Sequence, residues 1–83
     1  MKIIKTNFKD LLVIKPTIFK DERGHFFESF KKTMLDDALG YFSNEFVQDN
    51  ESFSVQKVFR GFHFQKPPYE QAKLVRVSSG CVR

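Results

Sequence analysis

Two histidines and a small set of cations are the residues of this chain best suited to moving a proton. His63 sits in Arg60-Gly61-Phe62-His63-Phe64-Gln65, and Lys73 follows one predicted strand later. Cations beside a neutral imidazole disfavour its protonation, which keeps a histidine available as a base near neutral pH. A base that takes a proton next to a carbonyl leaves an enolate, and that anion needs a positive group where charge develops on oxygen. Lys73 has the right type for that task. The plainer alternatives stay open at this level: His63 and His25 as hydrogen-bonded or surface residues, and Lys73 as a solvated strand residue. Alternation along a strand puts Arg60, Phe62 and Phe64 on one face and Gly61, His63 and Gln65 on the other. Arg60 and His63 serve one cavity only if a bulge, with Gly61 the natural place, shifts the phase.

A second polar set lies among aromatics: Arg23, Glu28, Gln48, Asp49 and Asn50. A guanidinium fork suits a diphosphate oxygen, and amides suit sugar hydroxyls or a nucleobase. The alternative is two solvated turns, residues 21–23 and 48–50. Metal binding is not expected. Cys81 is the single cysteine, and the histidine pair separated by one residue that metal-binding barrels use is missing at His63-Phe64-Gln65. Glycine-rich phosphate loops and the G-x-S-x-G elbow are also missing.

The elements that must carry these residues read as mainly β. Residues 11–19 are rich in β-branched side chains, with Pro16 marking an edge or irregularity. Residues 21–24 form a polar turn in which Gly24 is free to take a positive φ, and residues 25–30 are again extended. The period then changes. Met34, Leu35, Ala38 and Leu39 recur at helical spacing, predicting a short helix over 30–39, with Ser29 to cap it and Gly40 to end it. Strands are predicted over 45–49, 53–55, 58–64 and 73–79, the last two separated by Lys66-Pro67-Pro68-Tyr69-Glu70. Several strands with one helix favour an antiparallel sandwich or barrel over a parallel α/β sheet.

The chain has 83 residues, with eleven Phe, two Tyr and no Trp, 41% hydrophobic and 29% charged residues. Such aromatic content argues against general disorder. A chain this short buries a limited core, and a lone cysteine permits no internal disulfide, so self-association as a homodimer or higher assembly is expected. The net charge of +4 comes from scattered Lys and Arg without a basic stripe, which excludes nucleic acid as the expected partner. The longest aliphatic run, residues 11–14, is far too short for a membrane span, and no signal-like segment opens the sequence; a soluble cytoplasmic protein is expected. Residues 74–83 read as a strand, a turn and the opening of another strand. A hairpin left without its second strand exposes unpaired backbone groups, so the expectation is a truncated chain or one completed by another.

Three runs resemble the dTDP-4-dehydrorhamnose 3,5-epimerase family. Phe19-Lys20-Asp21-Glu22-Arg23-Gly24-His25-Phe26-Phe27-Glu28-Ser29-Phe30 resembles its F-x-D-x-R-G-x-F-x-E-x-F signature, and Phe46-Val47-Gln48-Asp49-Asn50-Glu51-Ser52 its F-x-Q-D-N-x-S segment. The stretch from Val58 to Gln65, with Pro67-Pro68 and Gln71-Ala72-Lys73-Leu74-Val75-Arg76-Val77, resembles L-R-G-x-H-x-Q, P-P and Q-x-K-L-V-R-V. Phe62 and Phe64 replace the usual Leu and Tyr. The resemblance implies the first part of one cupin-like (jelly-roll) antiparallel barrel domain, covering residues 1–83, and a dTDP-4-keto-6-deoxy sugar as substrate. It implies His63 as the base at C3 and C5, Lys73 as the enolate's partner, and Arg60, Gln48, Asp49 and Asn50 as substrate-holding. Arg23, Phe26 and Glu28 resemble nucleotide contacts that reach a partner subunit's site. The family's proton-donating tyrosine, the aspartate supporting the histidine and further diphosphate contacts lie in a second half with no counterpart in this sequence, so the segment alone is expected to be inactive. No cofactor is implied. A related 3,4-ketoisomerase and a non-catalytic self-associating fragment are the alternatives.

Overall fold

The computed structural model describes residues 1–39 and 45–83, in two compact units, Met1–Ser43 and Asn44–Arg83. The regular elements lie in the first: β1 (Lys2–Lys5), β2 (Leu12–Lys15), β3 (Ile18–Asp21), β4 (Gly24–Phe27) and α1 (Lys32–Leu39). They form two antiparallel two-stranded sheets and one short helix, the mainly β architecture expected of a partial cupin-like fold.

β1 pairs with β2 in the register Lys2↔Lys15, Ile3↔Ile14, Ile4↔Val13, Lys5↔Leu12. Directly opposed residues share a face, so Ile3, Leu12 and Ile14 form one half-buried apolar face. The cost is Lys2 opposite Lys15, a like-charge pair. Thr6 organises the connection: its hydroxyl donates to the Leu11 carbonyl at 2.8 Å and accepts from the Phe8 N–H at 3.1 Å. The extended stretch predicted over 11–19 is thus two strands. Pro16 has no N–H to give a ladder, and β2 ends one residue before it. β1 was not among the predicted strands, because two isoleucines between lysines carry too little alternation to read.

β3 and β4 make a hairpin with Ile18↔Phe27, Phe19↔Phe26, Lys20↔His25 and Asp21↔Gly24 opposed. Neither turn residue, Glu22 or Arg23, has a positive φ, so this is not one of the mirror-image hairpin turns. The strand twist is taken up at Gly24, whose φ of +133° suits glycine.

α1 lies inside the predicted range but is shorter at its start. Lys31, not Ser29, occupies the capping position, its carbonyl accepting from the Leu35 N–H at 3.1 Å. Gly40 lies outside the described residues. The helix carries no acidic residue in its first turn and no basic one in its last, so its dipole is uncompensated by side chains. The Lys32–Asp36 pair at 2.6 Å adds a few tenths of a kcal/mol at best. What anchors the helix is Leu35, 5% exposed and the one buried side chain among the described residues.

In Asn44–Arg83 the described residues contain no strand or helix, so the strands predicted over 45–49, 53–55, 58–64 and 73–79 are not formed. β-propensity selects an extended backbone, but a strand exists only when its N–H and C=O groups meet a partner in register. The predicted punctuation is present. Pro67 and Pro68 sit in a turn closed by the Tyr69 N–H on the Lys66 carbonyl at 2.8 Å, and Gly80 lies in a bend with φ +89°. Among the described residues no helix is long and apolar enough to cross a membrane.

Candidate functional site

Arg23 is placed by its own turn. Asp21 Oδ1 accepts from the Arg23 backbone N–H at 2.9 Å, and Asp21 Oδ2 accepts from Nε at 3.1 Å and Nη2 at 2.6 Å. The spacing of two residues is that of an aspartate-centred turn, which fixes loop and guanidinium together. These bonds from Arg23, the side-chain ones first, hold the Asp21 carboxyl below the ordinary aspartate range. A carboxyl with a lowered folded-state value contributes its stabilisation above its unfolded value and loses it as pH falls through the folded one. The Asp21–Arg23 contact is therefore expected to survive acidification through the ordinary aspartate range and to open only below it. Following the Asp21 carboxyl and the Arg23 amide by NMR during an acid titration checks this; Arg23→Ala, which removes the side-chain bonds but keeps the backbone N–H, should move Asp21 part of the way back toward the ordinary range.

The hairpin carries a cleft of about 490 Å³ lined by Phe19, Lys20, Arg23, His25 and Phe26, with Asp21 and Gly24 at its turn. Small-molecule clefts span ~300–1,000 Å³. The ladder register opposes Phe19 to Phe26 on one face of the hairpin and Lys20 to His25 on the other. Phe26 is 71% exposed, an aromatic face open to a planar ligand, and His25 stacks on Phe27 at 6.0 Å between ring centroids. Phe19 and Lys20 were not singled out as site residues from the sequence, and His25 was named only as the second histidine. The pairing that opposes Phe19 to Phe26 and Lys20 to His25 requires the two-residue loop length to be known. Glu28 follows β4 and is exposed.

In the second unit, Gln48 donates to Asn50 Oδ1 at 3.2 Å, which joins two of the three polar residues expected to act together; Asp49 between them is exposed. Arg60 donates from Nε to Ser54 Oγ at 2.7 Å and from Nη2 to the Phe53 carbonyl at 2.9 Å. Phe59 and Phe62 pack edge to face at 5.8 Å around the intervening Arg60-Gly61 pair. Gly61 has φ +154° and belongs to no ladder, so strict strand alternation does not separate Arg60 from His63. His63 and Lys73 are both exposed, and no described hydrogen bond or ion pair joins Arg60, His63 and Lys73. Ser54 is the residue that sequence reasoning passed over; nothing in the spacing of Ser54 and Arg60 marks them as partners. Among the described residues no three His, Cys, Asp or Glu side chains cluster to hold a metal ion.

Comparison with known proteins supplies what the local geometry leaves open. The model of the dTDP-4-dehydrorhamnose 3,5-epimerase family matches residues 5–83. The chain is 46% identical over 82 residues to the dTDP-4-dehydrorhamnose 3,5-epimerase of Escherichia coli (strain K12), covering 99% of this chain and 44% of that protein. It is 49% identical over 82 residues to the Shigella flexneri enzyme of the same name, covering 99% of this chain and 45% of the other. To the one from Methanothermobacter thermautotrophicus it is 43% identical over 79 residues, or 95% of this chain and 41% of the relative. The chain thus spans less than half the length of these relatives. No solved structure matches it. A match that takes in the Arg23 hairpin, the Gln48–Asn50 pair and the Arg60–Lys73 stretch places the chain in the dTDP-4-dehydrorhamnose 3,5-epimerase family.

Proposed function

We propose that this chain supplies the base-bearing part of a dTDP-4-dehydrorhamnose 3,5-epimerase, as a portion of one cupin-type domain acting in dTDP-L-rhamnose biosynthesis. The observation that carries the reading is the family match over residues 5–83, within which His63, Arg60 and Lys73 stand in the order and spacing of one motif. The substrate is a dTDP-4-keto-6-deoxy sugar. Its C4 carbonyl acidifies the hydrogens on C3 and C5, because the electron pair left on carbon delocalises onto oxygen. His63 accepts those protons as general base. Lys73 meets the negative charge as it develops on the C4 oxygen. Protonation from the opposite face of the ring inverts each centre, and the donor comes from another part of the enzyme. Proton abstraction at an already acidified carbon calls for no cofactor.

The remaining residues bind. Arg60 holds the anionic part of the substrate, and Gln48, Asp49 and Asn50 face sugar hydroxyls with amide and carboxylate groups. Arg23, Phe26 and Glu28 take the nucleotide, for which the hairpin cleft offers cations beside an exposed aromatic face. A nucleotide-sugar substrate and a single thiol, Cys81, suit a cytoplasmic enzyme.

The test is to offer the dTDP-4-keto-6-deoxy sugar in heavy water to a protein of the relatives' length that carries this segment. Deuterium should enter at C3 and C5. Movement of the carbonyl from C4 to C3 would instead identify a 3,4-ketoisomerase.

Self-association belongs to the same reading. Phe26, Phe53, Phe59, Phe62 and Phe64 are all exposed, and one side chain alone is buried among the described residues. Apolar surface on that scale drives association. Sedimentation velocity is expected to find a dimer or larger species; a stable monomer would overturn the expectation.

A further inference from the structure

Arg60 is held by atoms that come before it in the chain. Ser54 lies six residues upstream, a separation of about 20 Å if the backbone ran straight. It does not run straight. Gln56 and Lys57 form a turn in which Lys57 takes a φ of +67°, and the chain folds back so that Ser54 and Phe53 face the Arg60 side chain. A non-glycine residue in that conformation costs on the order of 1 kcal/mol, so the reversal is maintained against a local preference.

The two bonds engage one edge of the guanidinium. Nε and Nη2 share the side edge, and they donate to Ser54 Oγ at 2.7 Å and to the Phe53 carbonyl at 2.9 Å. Of the five N–H donors, three remain, and they include the end-on pair formed by one N–H from each terminal nitrogen. That pair matches two oxygens of a phosphate group.

We propose that Ser54 is a positioning residue for Arg60: it fixes the side edge of the guanidinium and so presents the end-on pair to a phosphate oxygen pair of the ligand. The inference rests on the reading that Arg60 holds the anionic part of the substrate. An unrestrained arginine gives up side-chain freedom when it binds. One already fixed by two acceptors has given it up on folding, which favours binding. Ser54 carries the restraint that a side-chain substitution can remove, whereas Phe53 contributes a main-chain carbonyl.

Nuclear magnetic resonance on a protein of the relatives' length that carries this segment tests this with two readouts, the hydrogen exchange of the Arg60 Nε–H and the binding of thymidine 5′-diphosphate. In the unaltered protein the Nε–H should exchange slowly and Arg60→Lys should weaken binding. Ser54→Ala should speed the Nε–H exchange and weaken binding by about tenfold, the scale of one hydrogen bond to a charged group. Ser54→Thr, which keeps the hydroxyl, should restore both. A merely structural role for Ser54 would alter backbone resonances throughout 53–60 and would not be rescued by Thr. If Arg60→Lys weakens binding while Ser54→Ala changes neither readout, the positioning role falls and the reading of Arg60 stands. If Nε–H exchange responds to Ser54→Ala but the diphosphate fails to bind, or binds Arg60→Lys equally well, the reading of Arg60 falls and the role assigned to Ser54 falls with it.

Discussion

In a protein of the relatives' full length carrying this segment, His63→Asn should reduce deuterium incorporation at C3 and C5 by about 10²–10⁴-fold, the usual contribution of a general acid–base group. Asparagine keeps some hydrogen-bonding capacity but cannot accept the substrate proton, so the loss should fall on the chemical step and leave nucleotide-sugar binding near its original strength. Lys73→Met should also slow exchange, since the enolate oxygen loses its positive partner at the moment charge develops. Both side chains are exposed in this segment, and a melting temperature measured on each variant separates lost chemistry from lost fold. A loss of exchange with an unchanged melting temperature therefore reports on chemistry. A folded His63→Asn protein exchanging at the original rate would remove His63 from the mechanism.

Leu35→Ala is expected to have the largest effect on stability. Truncating a buried leucine typically costs about 2–5 kcal/mol, from lost transfer energy and the cavity left behind. Here the loss falls on the one buried side chain among the described residues. It also falls on a helix of eight residues, too short to persist without its packed face. The helical circular dichroism signal should collapse, or the transition should drop by about 10 °C or more. Met34→Ala, at a half-buried neighbour, should do much less. Equal effects at the two positions would refute Leu35 as the anchor.

The carboxylate beside Arg23 and the serine beside Arg60 divide what was legible in the sequence from what was not. Asp21 and Arg23 are two residues apart, and an aspartate in a turn bonds the N–H two positions on, so that contact is local and readable. The same holds for the helix near Leu35, the break at Pro16, the Pro67–Pro68 turn and the positive φ at Gly24. Each depends on φ/ψ limits or periodicity within a few residues. The family, too, was legible, because three motif runs survive in order, and the family match covers them.

Tertiary structure decided the rest. Pairing β1 with β2, and β3 with β4 so that Phe19 meets Phe26 and Lys20 meets His25, requires a register, which no single strand carries. The extended runs over 45–79 carry strand propensity without a ladder, since the energy of a strand resides in its partner. The direction of Arg60 was decided the same way. The resemblance cast it as substrate-holding, but the turn at Gln56-Lys57 and the acceptors on Ser54 and Phe53 determined which edge of the guanidinium is engaged within the chain.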